Sequence, residues 1–513
     1  MLEAPGASAL VLGVDVGTTS TKVNGYTAGT VDLVVSASAG YPLLTPRPDV
    51  AEQDADIVRD AALSAIADCV RTATERGLEV AGLSFSAAMH SLLGVDADGR
   101  PLTKLLTWAD SRSDDQAQRL RAAGEGLALH RRTGTPVHPM SPLVKLRWFA
   151  EQEPDVAGQV RRWLGIKEYL LAVLVDGEGN ADDPVVDAGI ASGTGLYNLA
   201  DASWDAEALH YASIPASRLP RPVPTTTVLR LADGAAAQLG LPTGLPVVIG
   251  GADGPLANLG LGAVRPGSVA CSIGTSGAVR ASEDAPNVDE RGRVFCYNLA
   301  PGRFVIGGAV NNGGLVLDWL RDAVAPDLAD DHPQALLDLA ATAPVGSNGL
   351  LFLPYLLGER APHWSAVPRA AFLGLTREHR REHLARAAME GVCLQLAVVL
   401  ASLGTAGVAV HEIRATGGFA RSPLWRRILV DVFGRPVGFA ASPEGSSLGA
   451  ALLGMTALGL LESLDRAADL VQIASVEKPT PDDAEAYARL QPIFEQAYDS
   501  LAPVFAALHD LPG

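Results

Sequence analysis

One pattern is written twice in this chain, and it constrains the fold more than any other feature. Leu10-Val-Leu-Gly-Val-Asp15-Val is a short run rich in β-branched residues that breaks into Gly17-Thr18-Thr19-Ser20. Ser268-Val-Ala-Cys-Ser-Ile273 breaks in the same way into Gly274-Thr275-Ser276. Each reads as a strand delivered into a tight turn, and in the first copy a return strand around Lys22 to Tyr26 can pair back on it. A hairpin of this composition suits a phosphate: glycine lets the backbone approach, hydroxyl and N–H groups donate, and a carboxylate such as Asp15 can hold a hydrated magnesium ion. Taken singly, either copy could be an ordinary turn. Two of them, one in each half, predict a duplicated architecture with a phosphate-gripping hairpin from each lobe.

Ile57, Ala61, Ala65 and Cys69 recur at helical spacing and are followed by the strand-like stretch Val80 to Phe85. Strand, helix and strand in alternation predict α/β layers with mixed sheets. Near the middle, Leu245-Pro-Val-Val-Ile-Gly250-Gly-Ala-Asp253 carries an apolar strand into a carboxylate flanked by glycines. The lobe boundary is expected there, dividing the chain into 1–254 and 255–513. The second half continues with a helix-rich block from Glu378 to Leu403, a strand and turn from Ile413 to Gly418, and a helix from Ser446 to Leu461.

Charge narrows the function. Lys and Arg number 40 against 58 Asp and Glu, a net of −18, which opposes attraction to a nucleic-acid backbone or an anionic membrane. Neither is expected as a partner. Cys69, Cys271, Cys296 and Cys393 are scattered, with no CxxC pair and no histidines at zinc spacing, and read as buried thiols in a reducing cytosol. The apolar run Cys393 to Val410 reaches membrane-span length. Gln395 and the break Gly404-Thr-Ala-Gly407 make it a buried helix, turn and strand instead. The first ten residues carry no basic residue ahead of their apolar part, unlike a secretory signal. A soluble, cytoplasmic protein is expected.

Several stretches could carry chemistry. Asp253, at the expected boundary, is placed to act as a general base in a cleft, or it is simply an Asx turn or a helix N-cap. Gly417-Gly418, followed by Ser422 and Pro423, reads equally as a nucleotide-side turn and as a capped helix start. Phe85-Ser-Ala-Ala-Met89-His90 ends a strand in a histidine that in isolation suits a core. Thr107-Trp108-Ala-Asp110-Ser-Arg112 packs an aromatic ring, a carboxylate and a guanidinium together, where a local ion pair is the plain reading. His138-Pro-Met140-Ser-Pro-Leu-Val-Lys145 is a Pro-rich loop entering a helix.

With these residues in view the chain resembles the FGGY family of carbohydrate kinases. Met140-Ser-Pro-Leu-Val-Lys145-Leu-Arg-Trp148-Phe-Ala-Glu-Gln152 is similar to the family's first signature. Ala370-Ala-Phe-Leu-Gly374-Leu375, running on to His383-Leu-Ala-Arg-Ala-Ala-Met-Glu390, is similar to its second. The likeness spans about residues 10 to 460. It implies a two-lobed sugar-kinase/Hsp70/actin (ribonuclease H-like) α/β fold with mixed sheets and an ATP cleft between the lobes, the N-terminal domain binding sugar and the C-terminal one nucleotide. It makes Asp253 the catalytic base and Asp15 the Mg²⁺ residue. Gly17, Thr18, Thr19, Ser20, Lys22, Gly274 and Thr275 would meet the ATP phosphates, and Gly314, Gly417, Gly418 and Ser422 would line the nucleotide pocket. The sugar would lie among Met89, His90, Trp108, Asp110, Arg112, His138 and Asp253.

Within the family the chain is most similar to members that phosphorylate gluconate, through Ser84 to His90, Thr107 to Arg112, Gly134 to Pro142, Ile190 to Gly195, Val310 to Gly314 and Pro354 to Pro362. The alternative within the family is a kinase for xylulose or another ketose or polyol, and Ala87-Ala88, standing where xylulose-specific members tend to carry Gly-Gln, weakens the xylulose reading without excluding it. The implied reaction is the ATP-dependent conversion of D-gluconate to 6-phospho-D-gluconate. An actin-like or Hsp70-like assembly ATPase is the reading from another class. An anionic substrate entering a chain of charge −18 needs local cations. The expected ones are Arg112, His90, His138 and Lys145, with Arg112 gripping the carboxylate. The partner is a small sugar or sugar acid, and a homodimer is carried as a further expectation.

Overall fold

The computed structural model describes residues 9–328, 334–441, 445–509 and 511. Most of the N-terminal stretch read against a secretory signal, residues 1–8, lies outside them.

Six strands of the first half make one sheet. They are β1 (Ala9–Val16), β2 (Ser20–Thr27), β3 (Leu33–Gly40), β4 (Glu79–Ala87), β5 (Val228–Arg230) and β6 (Pro246–Ala252), in the order β5-β6-β4-β1-β2-β3. Seven strands of the second half make another. They are β7 (Ser268–Ile273), β8 (Gly277–Glu283), β9 (Phe295–Ala300), β10 (Arg303–Val310), β11 (Glu412–Thr416), β12 (Val437–Ala440) and β13 (Ile473–Glu477), in the order β9-β10-β8-β7-β11-β12-β13.

The two sheets follow one plan. β1 pairs antiparallel with β2 and parallel with β4, which is itself parallel to β6. β7 pairs antiparallel with β8 and parallel with β11, which is parallel to β12. The last strand in each series, β5 or β13, runs antiparallel to its neighbour, and β9 is an added edge. Central strands covered on both faces read as continuous apolar runs, and every residue of β1 from Ala9 to Val14 is buried.

The helices that matter for the site are α1 (Ala55–Glu75), α2 (Pro142–Gln152), α3 (Asp253–Gly260), α4 (Leu315–Val324), α5 (Arg381–Thr405), α6 (Pro423–Phe433) and α7 (Ser446–Ala457). α1 starts where the Asp54 carboxylate accepts the N–H groups of Asp56 and Ile57. α5 is long and apolar enough to cross a membrane, yet 72% of its most apolar window is buried inside the protein, as a core helix would be. The chain turns after it and the next strand begins at Glu412, so Val408 to Val410 is not the strand expected from the sequence.

α3 and α7 follow equivalent strands, β6 and β12, and cross each other at the seam between the sheets. Their backbones touch there: a Cβ added at Gly449 would stand 1.9 Å from the Leu256 carbonyl oxygen, and one at Gly260 would stand 1.8 Å from that of Gly445. Only glycine allows this approach. All four cysteines are buried free thiols, and burial pushes those of Cys69, Cys271 and Cys296 up to about 12.

Candidate active site

Backbone hydrogen bonds hold the second hairpin. The Gly274 N–H donates to the Ser276 carbonyl at 2.8 Å, closing the turn. The segment after β10 then lies along it, with Gly313 donating to Thr275 and Gly314 to Gly274 at 3.1 and 2.7 Å. Across from it α6 begins at Pro423, capped by Ser422, whose hydroxyl accepts the Trp425 N–H at 3.3 Å. Between these parts opens a pocket of about 660 Å³ lined by Gly274, Thr275, Gly314, Gly418 and Ser422, with Leu337 and Trp425 among its apolar residues. Gly417 lies beneath, against the end of β7.

On the other side of the same hairpin, at the seam, lies a smaller cavity of about 230 Å³. The first half supplies Met89, His90, Trp108 and Asp253; the second supplies Arg280, Tyr297, Arg360 and Trp364. Asp253 reaches it because β6 ends in a bulge. The register between β6 and β4 shifts between Val248 and Gly251, and Gly250 sits at φ +74°, where a Cβ would meet the Phe85 carbonyl oxygen at 1.7 Å. Such bulges re-aim the residues beyond them. The strand end is also tied down from behind. Lys167 pairs with Asp187 in the core and donates to the Gly251 carbonyl at 3.3 Å.

The Asp253 carboxylate accepts the Gly254 N–H at 2.8 Å. Burial pushes its carboxyl above the usual carboxylate range, while Arg280 beside it pulls the other way. The result is a carboxylate more basic than one in water. His90, at φ +65°, donates its Nδ1–H to the Gly193 carbonyl at 2.7 Å, which leaves Nε2 as an acceptor. Burial, aided by Lys145, drives the imidazole down to about 3, so it is neutral. Trp108 donates Nε1–H to the Thr18 hydroxyl at 3.0 Å, joining the first hairpin to the cavity. In that hairpin Gly17 N–H donates to the Ser20 carbonyl at 3.0 Å. Asp15, at the end of β1, accepts the Ser86 hydroxyl at 2.7 Å and faces Lys22 in the register. Thr18, Thr19 and Ser20 line neither cavity.

Three residues expected on the sugar side are elsewhere. Asp110 and Arg112 do form the local ion pair, with the guanidinium donating to Asp110 at 2.8 Å and to Glu52 at 2.7 Å and stacking over Trp148. Two carboxylates neutralise Arg112, and it does not line the cavity. His138 stands behind the wall with its ring edge to Trp364, its Nδ1 accepting the Met140 N–H, and burial keeps it well below the usual imidazole range. Lys145 is equally unavailable. Its ammonium donates to the carbonyls of His90 and Thr107 at 2.9 and 2.6 Å, and burial pulls it down to about 7. It braces the two loops rather than facing a ligand.

Arg280, Tyr297, Arg360 and Trp364 were not singled out from the sequence. The available signals were faint: an arginine on the otherwise apolar run Gly277-Ala-Val-Arg280-Ala, and Glu359-Arg360 inside the quoted Pro354 to Pro362 stretch. Wider hollows of about 930 and 1020 Å³ lie elsewhere, on the outer side of the first half and between α5 and the C-terminal helix Pro481–His509, away from both hairpins.

Two sheets of one plan, with a nucleotide-sized pocket opening beside a cavity that holds a basic carboxylate, describe a two-lobed kinase for a small molecule. The comparisons with known proteins agree. The chain belongs to the FGGY family of carbohydrate kinases: the family's N-terminal domain matches residues 10–260 and its C-terminal domain residues 269–458. It is 41% identical over 493 residues to the gluconokinase of Bacillus subtilis (strain 168), covering 94% of each chain. Among solved structures it is similar to gluconate kinase from Lactobacillus acidophilus, with a TM-score of 0.91, 35% identity, and 98% and 99% of the two chains covered. It is as similar to the ligand-bound xylulose kinase from Lactobacillus acidophilus, at a TM-score of 0.91, 35% identity, and 98% and 100% coverage.

Proposed function

We propose that this protein transfers the terminal phosphoryl group of ATP to the primary hydroxyl of D-gluconate, giving 6-phospho-D-gluconate. One juxtaposition carries the reading: Asp253, made more basic by burial, stands in a sugar-sized cavity that shares the β7–β8 hairpin with a nucleotide-sized pocket. The identity with a gluconokinase supports the choice of acid. A xylulose kinase of equal structural likeness makes D-xylulose the second reading.

In this proposal residues 255–513 carry most of the nucleotide site, through Gly274, Thr275, Gly314, Gly417, Gly418 and Ser422. Residues 1–254 bring the first hairpin, Gly17 to Ser20 with Lys22, to the phosphates, and Met89, His90 and Trp108 to the sugar. Asp253 orients the hydroxyl in line and takes its proton as the new oxygen–phosphorus bond forms and the bond to the departing ADP oxygen breaks. Phosphoryl transfer of this kind is accelerated mainly by positioning and electrostatics.

Asp15 suits Mg²⁺. Such ions take one or two carboxylates and fill the remaining positions with phosphate and water, and among the described residues no cluster of three or more His, Cys, Asp or Glu offers a fuller cage. The Ser86 hydroxyl orients the Asp15 carboxylate. When bound, the ion would neutralise charge on the phosphate oxygens. The four buried thiols fit the cytoplasm as the working compartment.

The test is ADP release by purified protein with Mg·ATP and D-gluconate, D-xylulose, L-ribulose, glycerol or no acceptor. Selective turnover of gluconate is expected; turnover of xylulose in its place would overturn the substrate.

A further inference from the structure

An anionic substrate must find positive charge in the cavity, and the structure removes the cations that the sequence offered. Arg112 is neutralised by Asp110 and Glu52, Lys145 is held by two carbonyls, and His90 and His138 are uncharged. Two guanidiniums remain, and both line the cavity.

Arg280 leaves β8 and enters the cavity beside the start of α3, its Nε 3.6 Å from where a Gly254 side chain would begin. Among the described residues its guanidinium makes no hydrogen bond, and no carboxylate lies within ion-pair distance of it. Arg360 lies over the face of Trp108, 4.9 Å from the ring centre. It donates once, to the Val310 carbonyl at 3.1 Å, and its buried Nε has no partner. Its neighbour Glu359 is turned away, accepting the Asn311 N–H, the Asn312 amide and the Arg360 N–H. The two guanidiniums are close enough to repel one another. A third orphan shares the cavity: the Tyr297 hydroxyl is buried with no hydrogen-bond partner.

The Asp253 and Glu359 carboxylates act on this pair from nearby without forming an ion pair with either guanidinium, and two like charges held out of water without such direct pairing are costly unless something anionic completes the site. Planar guanidiniums match a carboxylate in shape and donor spacing. We propose that Arg280 and Arg360, with the Tyr297 hydroxyl, form a carboxylate subsite that selects sugar acids over neutral sugars. This rests on the function proposed above and deepens it, because it assigns the selectivity to residues of the second half.

The experiment compares D-gluconate with D-gluconamide, which keeps the shape and removes the charge. The wild type should prefer the acid. Arg280→Met and Arg360→Met should each lower the acid-over-amide ratio of kcat/KM by at least about 30-fold, the lower range for stranding one partner of a buried charge pair. Lysine at either position should restore part of the ratio. A ratio unchanged in both variants, with acid and amide losing kcat alike, would assign the arginines to the phosphoryl group and overturn the subsite. A wild type that phosphorylates xylulose and ignores gluconate would overturn the function as well, so the two failures are distinguishable. Titration of the nucleotide-free wild type by calorimetry gives a readout independent of any variant: gluconate should bind and gluconamide should not, and equal binding would overturn the proposal.

Discussion

Asn24 and Arg280 hold the same place in the two halves and are used in opposite ways. Asn24 in β2 stands opposite Gly13, and Arg280 in β8 stands opposite Ala270; each of these partners has the same offset from its hairpin glycine, Gly17 or Gly274. Each also faces the second residue of the helix that crosses from the other half. On Asn24 that residue is Ser447, whose hydroxyl accepts the Asn24 amide at 2.8 Å, while Ser36 donates to the amide oxygen at 2.7 Å. On Arg280 it is Gly254, which has no side chain to offer. One copy of the frame is closed by the protein's own groups, and the other is left for a ligand to close. A repeated fold can thus make a binding site by withholding a partner rather than by adding one.

The strongest way to break this comparison is at the seam. Asp253→Asn should lower kcat by ~10²–10⁴, the range for a lost general base, in steady-state assays with gluconate; activity within tenfold of wild type would show that the open side is not the working side. Next comes the crossing on which both copies depend. Gly449→Ala drives a methyl group into the Leu256 carbonyl and should cost about 3 kcal/mol or more in denaturant unfolding, as severe overpacking does.

Asn24→Ala sharpens the contrast. It should cost about 1–3 kcal/mol of stability by leaving polar groups of the closed copy unpaired, while the acid-over-amide ratio stays as in the wild type. The smallest effect is expected from Gly254→Ser, which copies the closed half's serine into the open one. Its Cβ would meet the Arg280 side chain at an ordinary 3.6 Å, so the fold should hold. The KM for gluconate should rise about 2- to 10-fold, the worth of one competing hydrogen bond; an unchanged KM would mean that Gly254 is not what keeps Arg280 available.

The parts legible in the sequence are those written locally. Both hairpins, the strand leading to Asp253 and the Ser422 cap depend on residues a few positions apart, and glycine, threonine and serine announce such turns wherever they fall. The cation pair is not local. Arg280 and Arg360 are isolated single residues, and they reach one cavity because the loop that carries Arg360 docks along the end of β10, the strand paired with β8. Arg112 misled for the same reason in reverse. A guanidinium two residues from a carboxylate, with Glu52 added from a distant segment, satisfies itself before it can serve a ligand. The lobe boundary was expected from the duplicated hairpins and the strand into Asp253, while the cavity that holds Asp253 is lined by residues of both halves and the sequence had credited its lining to the first alone.

The burial of the four thiols has a practical consequence. With Cys69, Cys271 and Cys296 raised to about 12 and burial pushing Cys393 well above the usual thiol range, only about one in 10⁵ of the first three is thiolate at neutral pH, and the thiolate is the reactive form. Maleimides and iodoacetamides should therefore pass the folded enzyme by. A cysteine introduced on each lobe would take a fluorophore pair without first stripping the native ones, and the distance between dyes would report whether the lobes move when gluconate and nucleotide bind.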